Sequence, residues 1–145
     1  MPVAHINLLQ GHSPEALRQI IVDVSDAMSR ILVAPKDRLY VWITQHDLQL
    51  FGLGGVPASE ALKHGDRRAL EMPYVEMVLM KGRQREQFTA IMDAVTAIVA
   101  RHARCDPQRI RIHIVEGNPD NWAIGGVPAS LARAAELASR AQGAA

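Results

Sequence analysis

The sequence has a single cysteine, Cys105, among its 145 residues, so no disulfide can form within the chain. That fits a reducing cytoplasm, the expected location, with Cys105 as a buried and inert thiol. Aromatic residues are scarce, at 4%. The basic pair Arg67-Arg68 has none beside it, and the net charge is only +1. The interleaved basic and aromatic pattern of a nucleic-acid surface is therefore missing, and no nucleic acid is expected as partner. No apolar run is long enough to span a bilayer, and no charged-then-apolar leader opens the chain, so no membrane association is expected. The six histidines are scattered, with no ligand-spaced pair that also has a carboxylate or cysteine partner, and they predict no metal. Gly52-Leu53-Gly54-Gly55 lacks the strand-then-helix setting of a nucleotide loop. It reads as a hairpin, and no cofactor is expected.

What the chain has is a repeat. Gly-Gly-Val-Pro-Ala-Ser occurs at Gly54–Ser59 and again at Gly125–Ser130, 71 residues later. The same offset pairs Pro2 with Pro73, Gly11 with Gly82, Arg30 with Arg101 and Phe51 with Trp122. An ungapped offset of this length predicts a duplicated unit. The expected division is a first unit over residues 1–59, a linker over 60–72, a second unit over 73–130 and a tail over 131–145. The linker is charged and exposed in character. The tail is alanine-rich and reads as a short helix.

Within each unit the pattern reads strand, helix, strand, hairpin. Val3–Leu9 is β-compatible. Ser13 suits an N-cap and Pro14 the first helical position, where a missing N–H costs nothing. Leu17, Ile20, Ile21, Val24, Met28, Ile31 and Leu32 form one helical stripe, which Ala34-Pro35 stops. Leu39–Thr44 is rich in β-formers. The second unit predicts a strand over Tyr74–Met80, a helix burying Phe88, Ile91, Met92, Val95, Ile98 and Val99, and a strand over Ile110–Val115. A short strand-helix-strand implies a parallel pair with a right-handed crossover. The predicted class is α+β, with two tandem β-α-β units making a four-stranded sheet and two helices on one face. Nothing in the sequence covers the other face, which predicts an oligomer.

Pro2-Val-Ala-His-Ile-Asn-Leu-Leu-Gln-Gly11, Ala34-Pro35 and Phe51-Gly52-Leu53-Gly54-Gly55 resemble the 4-oxalocrotonate tautomerase family. Lys81-Gly82-Arg83 and Asn121-Trp122-Ala123-Ile124-Gly125-Gly126 resemble a second copy. The resemblance implies the tautomerase fold, a homotrimer as for other fused members, and an N-terminal proline as the catalytic group. An α-amino group titrates near ~8, well below lysine, and an apolar pocket or a nearby cation lowers it further. Such an amine can be a neutral base near neutral pH, provided Met1 is removed, which a small second residue such as proline normally permits. Pro73 is disqualified because its nitrogen is an amide to Met72.

The family's carboxylate-binding arginine just past the first strand matches His12 and Arg83. A second arginine, on the strand after the helix, matches Tyr40 and Arg111. The aromatic that closes the pocket matches Phe51 and Trp122. The first half keeps the usable proline and the second keeps both arginines. The resemblance thus implies a composite site of Pro2, Arg83 and Arg111, the last from the same chain or a neighbouring subunit. Trp122, Phe51, Tyr40 and Lys81 are the expected substrate contacts. The expected activity is keto–enol tautomerisation of a 2-hydroxydienoate or 2-oxo acid, the substrate a small carboxylate held by planar guanidinium forks. A rival reading is decarboxylation or hydration and dehalogenation with Pro2 protonated, for which Glu116 and Asp37 are candidates to handle water. A second rival is an inactive oligomeric binding protein.

Overall fold

A computed structural model describes residues 1–143. The last two residues of the tail assigned to 131–145 lie outside the described residues. The chain opens with strand β1 (Val3–Leu9) and helix α1 (Pro14–Ile31), then a 3-10 turn over Lys36–Arg38 and strand β2 (Tyr40–His46). A small hairpin of β3 (Gly52–Leu53) and β4 (Val56–Pro57) leads into two short helices, α2 (Ala58–Ala61) and α3 (Arg67–Leu70). The second unit repeats the order: β5 (Tyr74–Met80), α4 (Arg85–Ala103) and β6 (Arg111–Gly117). The hairpin β7 (Ala123–Ile124) and β8 (Val127–Pro128) and helix α5 (Ala129–Ala132) follow. Helix α6 (Ala134–Gly143) ends the chain. The two strands expected at Leu39–Thr44 and Ile110–Val115 each run one residue later at the start and two later at the end.

Local chemistry sets these limits. The Ser13 hydroxyl accepts the Ala16 N–H at 3.1 Å, and Pro14 opens α1. At the head of α4 the Gln87 side chain accepts the Gln84 N–H at 3.1 Å and donates to the Ile31 carbonyl at 2.9 Å, tying α4 to the end of α1. The two helices lie side by side on one sheet face. Ile20, Val24 and Met28 of α1 and Phe88, Ile91, Val95 and Val99 of α4 pack with Ala4, Ile6, Leu8, Val75, Met77 and Leu79. Each of these side chains other than that of Ala4 contributes about 1.5–3 kcal/mol on burial. Ile21, placed on the apolar stripe from its spacing, is instead exposed at the rim.

The sheet order is β2-β1-β5-β6, with β1 parallel to β2, β5 parallel to β6, and β1 antiparallel to β5. Val3 faces Val78 and Asn7 faces Tyr74. Adding 71 to Val3 gives Tyr74, and subtracting 71 from Val78 gives Asn7, so the central ladder maps onto itself. A local twofold axis therefore relates the two halves. Its consequence is that Pro2 and Pro73 lie at opposite ends of the β1–β5 pair, about 20 Å apart at roughly 3.3 Å per residue. The sheet face away from the helices is open. Tyr40 is 54% exposed, Trp42 44% and Val115 45%. His5 stacks on Trp42 there, with ring centroids 4.9 Å apart.

Candidate active site

Strand β1 delivers Pro2 to the end of β5, and the second hairpin and the tail close over it. Around Pro2 lies a cavity of about 20 Å³, walled by Met1, Ala34, Pro35, Arg38, Met80, Ile124, Ala129, Arg133, Glu136, Leu137 and Arg140. That is room for one or two waters. A wider cleft of about 550 Å³ runs past Arg83, Gln84 and Gln87, and Pro35, Arg38, Glu136 and Arg140 wall both spaces. Glu136 pairs with Arg38 at 2.8 Å and with Arg140, one helical turn on. Among the described residues, the two spaces together are lined by four guanidinium groups and one carboxylate.

This surplus of positive charge acts on the chain's amine. Burial, then Arg140 and Arg83, lower the Met1 amine from 8.0 to about 6, while Glu136 works the other way. Both burial and like charge disfavour the ammonium form. Arg83 is lowered to about 10 by burial first and by Arg140 second. It donates through Nη1 to the Leu32 carbonyl at 2.6 Å. Among the described residues, its Nε and Nη2 are buried without a partner, as is Nε of Arg133. Buried donors left unpaired are costly.

The other residues named from the sequence divide by the twofold. The Tyr40 N–H donates to the Pro2 carbonyl at 3.3 Å, and the Arg111 N–H donates to the Pro73 carbonyl at 2.9 Å. Tyr40 thus stands beside the usable proline, on the open sheet face, and Arg111 at the far end of the sheet. Arg111 is held by the Gln108 and Ile110 carbonyls at 2.8 and 3.2 Å. Within one chain it does not join Pro2. Phe51 lies at the Pro73 end, packed with Leu9, Leu53 and Ala58. Trp122 is half-buried and its carbonyl accepts the Ala129 N–H at 2.7 Å, which fixes the hairpin at the Pro2 cavity. Lys81 is exposed, with its N–H on the Gly117 carbonyl at 3.1 Å. Asp37 and Glu116 are both exposed and line neither space.

The pocket at Pro73 is filled from within. Where the Pro2 cavity has Met80, Ile124, Ala129 and Arg133, the 71-residue offset places Leu9, Leu53, Ala58 and Leu62, which form an apolar cluster with Met72. Where the first has Arg83, the second has His12, and Glu71 sits on it at 2.8 Å. Glu71 also accepts the Leu9 N–H at 3.0 Å and Arg67 Nε at 3.1 Å. Burial alone would raise its carboxyl, but His12, Leu9 and Arg67 together hold it below the usual carboxylate value. Arg67 reaches in because Gly11, at φ +114°, has no Cβ; one added there would lie 2.5 Å from Nη1 of Arg67. The linker, expected to be exposed, is so for most of its length, but Glu71 is 1% exposed.

Sequence reasoning missed Arg133, Glu136 and Arg140 as site residues. The signal was the i, i+4 spacing of Glu136 and Arg140, which puts them on one helical face just after Arg133.

The model of a family described as "Tautomerase enzyme" matches residues 2–61 and again 73–132. A 2-hydroxymuconate tautomerase of Pseudomonas putida is 47% identical over 60 residues, 41% of this chain and 95% of that protein. A probable tautomerase of Lactiplantibacillus plantarum is 35% identical over 60 residues, 41% of this chain and 94% of that one. Among solved structures, the R7 fused 4-OT wild-type asymmetric trimer superposes with TM-score 0.77 at 23% identity, covering 90% of this chain and 98% of its own. The Q0 fused 4-OT wild-type symmetric trimer does so with TM-score 0.76 at 19% identity, over 90% and 98%. With one family unit in each half, joined through a shared sheet, the chain belongs to the tautomerase family as a tandem, fused member.

Proposed function

We propose that the chain is a keto–enol tautomerase for 2-hydroxydienoate or 2-oxo acid substrates, acting through the amine of Pro2 once Met1 is removed. The observation that carries this reading is the cavity at Pro2, whose walls and charges lower the Met1 amine beside it to about 6. The same burial and positive charge act on a freed Pro2 amine and favour its neutral, proton-accepting form. That amine takes a proton from the enol oxygen as the double-bond electrons shift, and the resulting ammonium returns it to carbon. The unpaired Arg83 donors receive a substrate carboxylate. Trp122 supports the hairpin that shuts out water, which strengthens every charge inside.

Arg111 reaches a Pro2 site only from a neighbouring subunit, and so does Phe51. The open face carrying Trp42 and Val115 is the surface for such neighbours, and the fused relatives named above are trimers, which favours a homotrimer. The acid reading, with Pro2 protonated, is disfavoured by the same surroundings, and by Asp37 and Glu116 lying outside both spaces.

The test is intact mass to show loss of Met1, followed by assay of Pro2→Ala on 2-hydroxymuconate and on a one-carboxylate 2-hydroxydienoate. Removing a positioned base should cost about 10²–10⁴-fold in rate. Full activity in Pro2→Ala would refute the mechanism.

A further inference from the structure

The tail helix brings charges to the site that no copy of the repeat supplies. Residues 134–143 lie beyond both repeat units, yet Glu136 and Arg140 wall the Pro2 cavity and the Arg83 cleft at once. Arg38 faces them from the 3-10 turn before β2. The Arg38–Glu136–Arg140 link is therefore the partition between the amine and the guanidinium expected to bind substrate.

The other half of the molecule shows what this geometry accepts. At the Pro73 end the counterpart of Arg83 is His12, and it holds a carboxylate belonging to the chain, Glu71. At the Pro2 end, among the described residues, the Arg83 side chain has no carboxylate on it, and two of its donors are buried and unpaired. The chain-borne carboxylate there is Glu136, displaced outward onto Arg38 and Arg140 and still partly exposed. Four guanidinium groups against one carboxylate leave room for a dianion.

We propose that Arg38 and Arg140 form a second carboxylate-binding position next to Pro2, occupied in the free protein by Glu136, which an incoming dicarboxylate displaces. One substrate carboxylate then takes the free donors of Arg83 and the other takes the place of Glu136 between Arg38 and Arg140. The exchange opens the partition, joins the two spaces, and makes the site select substrates charged at both ends. This rests on the Pro2 cavity being the active site.

The test is calorimetric binding to the full, Met1-processed chain, with hexanedioate and hexanoate as six-carbon probes carrying two carboxylates and one. Glu136→Gln removes the internal competitor, and hexanedioate should bind about tenfold tighter or more, on the scale of one charge-assisted contact. Arg140→Gln should weaken hexanedioate about 10- to 100-fold relative to hexanoate, with Arg140→Lys, which keeps charge but loses the fork, falling between. Equal weakening of both probes overturns the proposal. So does a Glu136→Gln variant that binds hexanedioate no better, or worse, because Glu136 then builds the site and does not occupy it. Binding needs no proton transfer, so a protein inactive as a tautomerase still gives this readout. The two readings can therefore fail separately.

Discussion

The Glu71 carboxylate lies 2.8 Å from Nε2 of His12, and the 71-residue offset carries His12 onto Arg83. At one end of the molecule this position is thus tied into an internal hydrogen bond, while at the other, among the described residues, the guanidinium has two unpaired donors.

That pair should matter to stability. Glu71→Ala leaves His12, Arg67 and the Leu9 amide without their shared acceptor, and unfolding free energy should fall by about 2–4 kcal/mol. The carboxyl is held below its ordinary 4.5 in the folded chain. Its contribution is therefore in place above that value and is lost as pH falls through the lower, folded one. Denaturant melts of wild type and Glu71→Gln should converge on acidification from neutral pH. A gap that stays constant would assign the loss to packing alone.

The amine sets the pH dependence of turnover. The neutral form is the base, so kcat/KM rises as pH climbs through its pKa. The ascending limb should fall below the ordinary α-amino value of about 8. After burial, Arg140 is the largest charge lowering the Met1 amine, and Pro2 lines the same cavity, so Arg140→Gln should shift the limb to higher pH. Glu136 acts in the opposite sense, so Glu136→Gln should shift it lower. A pH–rate profile of each variant checks both signs.

The open sheet face should hold the assembly together. Trp42→Glu puts a charge on an aromatic that is 44% exposed in the single chain. Sedimentation velocity should show the trimer giving way to smaller species, with activity lost in parallel if Arg111 is lent across that face. An unchanged sedimentation coefficient would move the interface elsewhere.

Cys105 should be silent toward thiol reagents. Burial, followed by the Glu71 charge, raises its thiol to about 11, and the thiolate is the reactive form. Labelling near neutral pH should be slow in the native protein and fast in denaturant.

The fold was legible because its signals are local or periodic. The offset linking Gly54–Ser59 to Gly125–Ser130 carries the duplication, Ser13-Pro14 starts a helix, and the Val3–Leu9 and Tyr74–Met80 strands stand as read. The strand-end shifts at β2 and β6 depend on ladder partners such as Leu9 opposite His46, which no short window contains. The site was half legible. Pro2 and Arg83 lie together around one region, as the resemblance implies, but the tail's share was not visible. Glu136 and Arg140 on an alanine-rich helix, with Arg133 just before it, have the pattern of an ordinary solvated face. Only the path of the chain, from α5 back toward Pro35, turns that face inward. Glu71 escaped notice for a related reason. A charged residue in a polar linker reads as solvated until Gly11, 60 residues earlier, makes room for the Arg67 that helps hold it.

Severing the Met72–Pro73 peptide in a chain that has lost Met1 would give a two-piece protein with two imino termini and still one of them beside an open cavity. Leu53, Leu62 and Met72 fill the space by Pro73, and Glu71 has taken the seat of any visiting anion. To revive that end, an engineer would have to empty it as well as free its nitrogen.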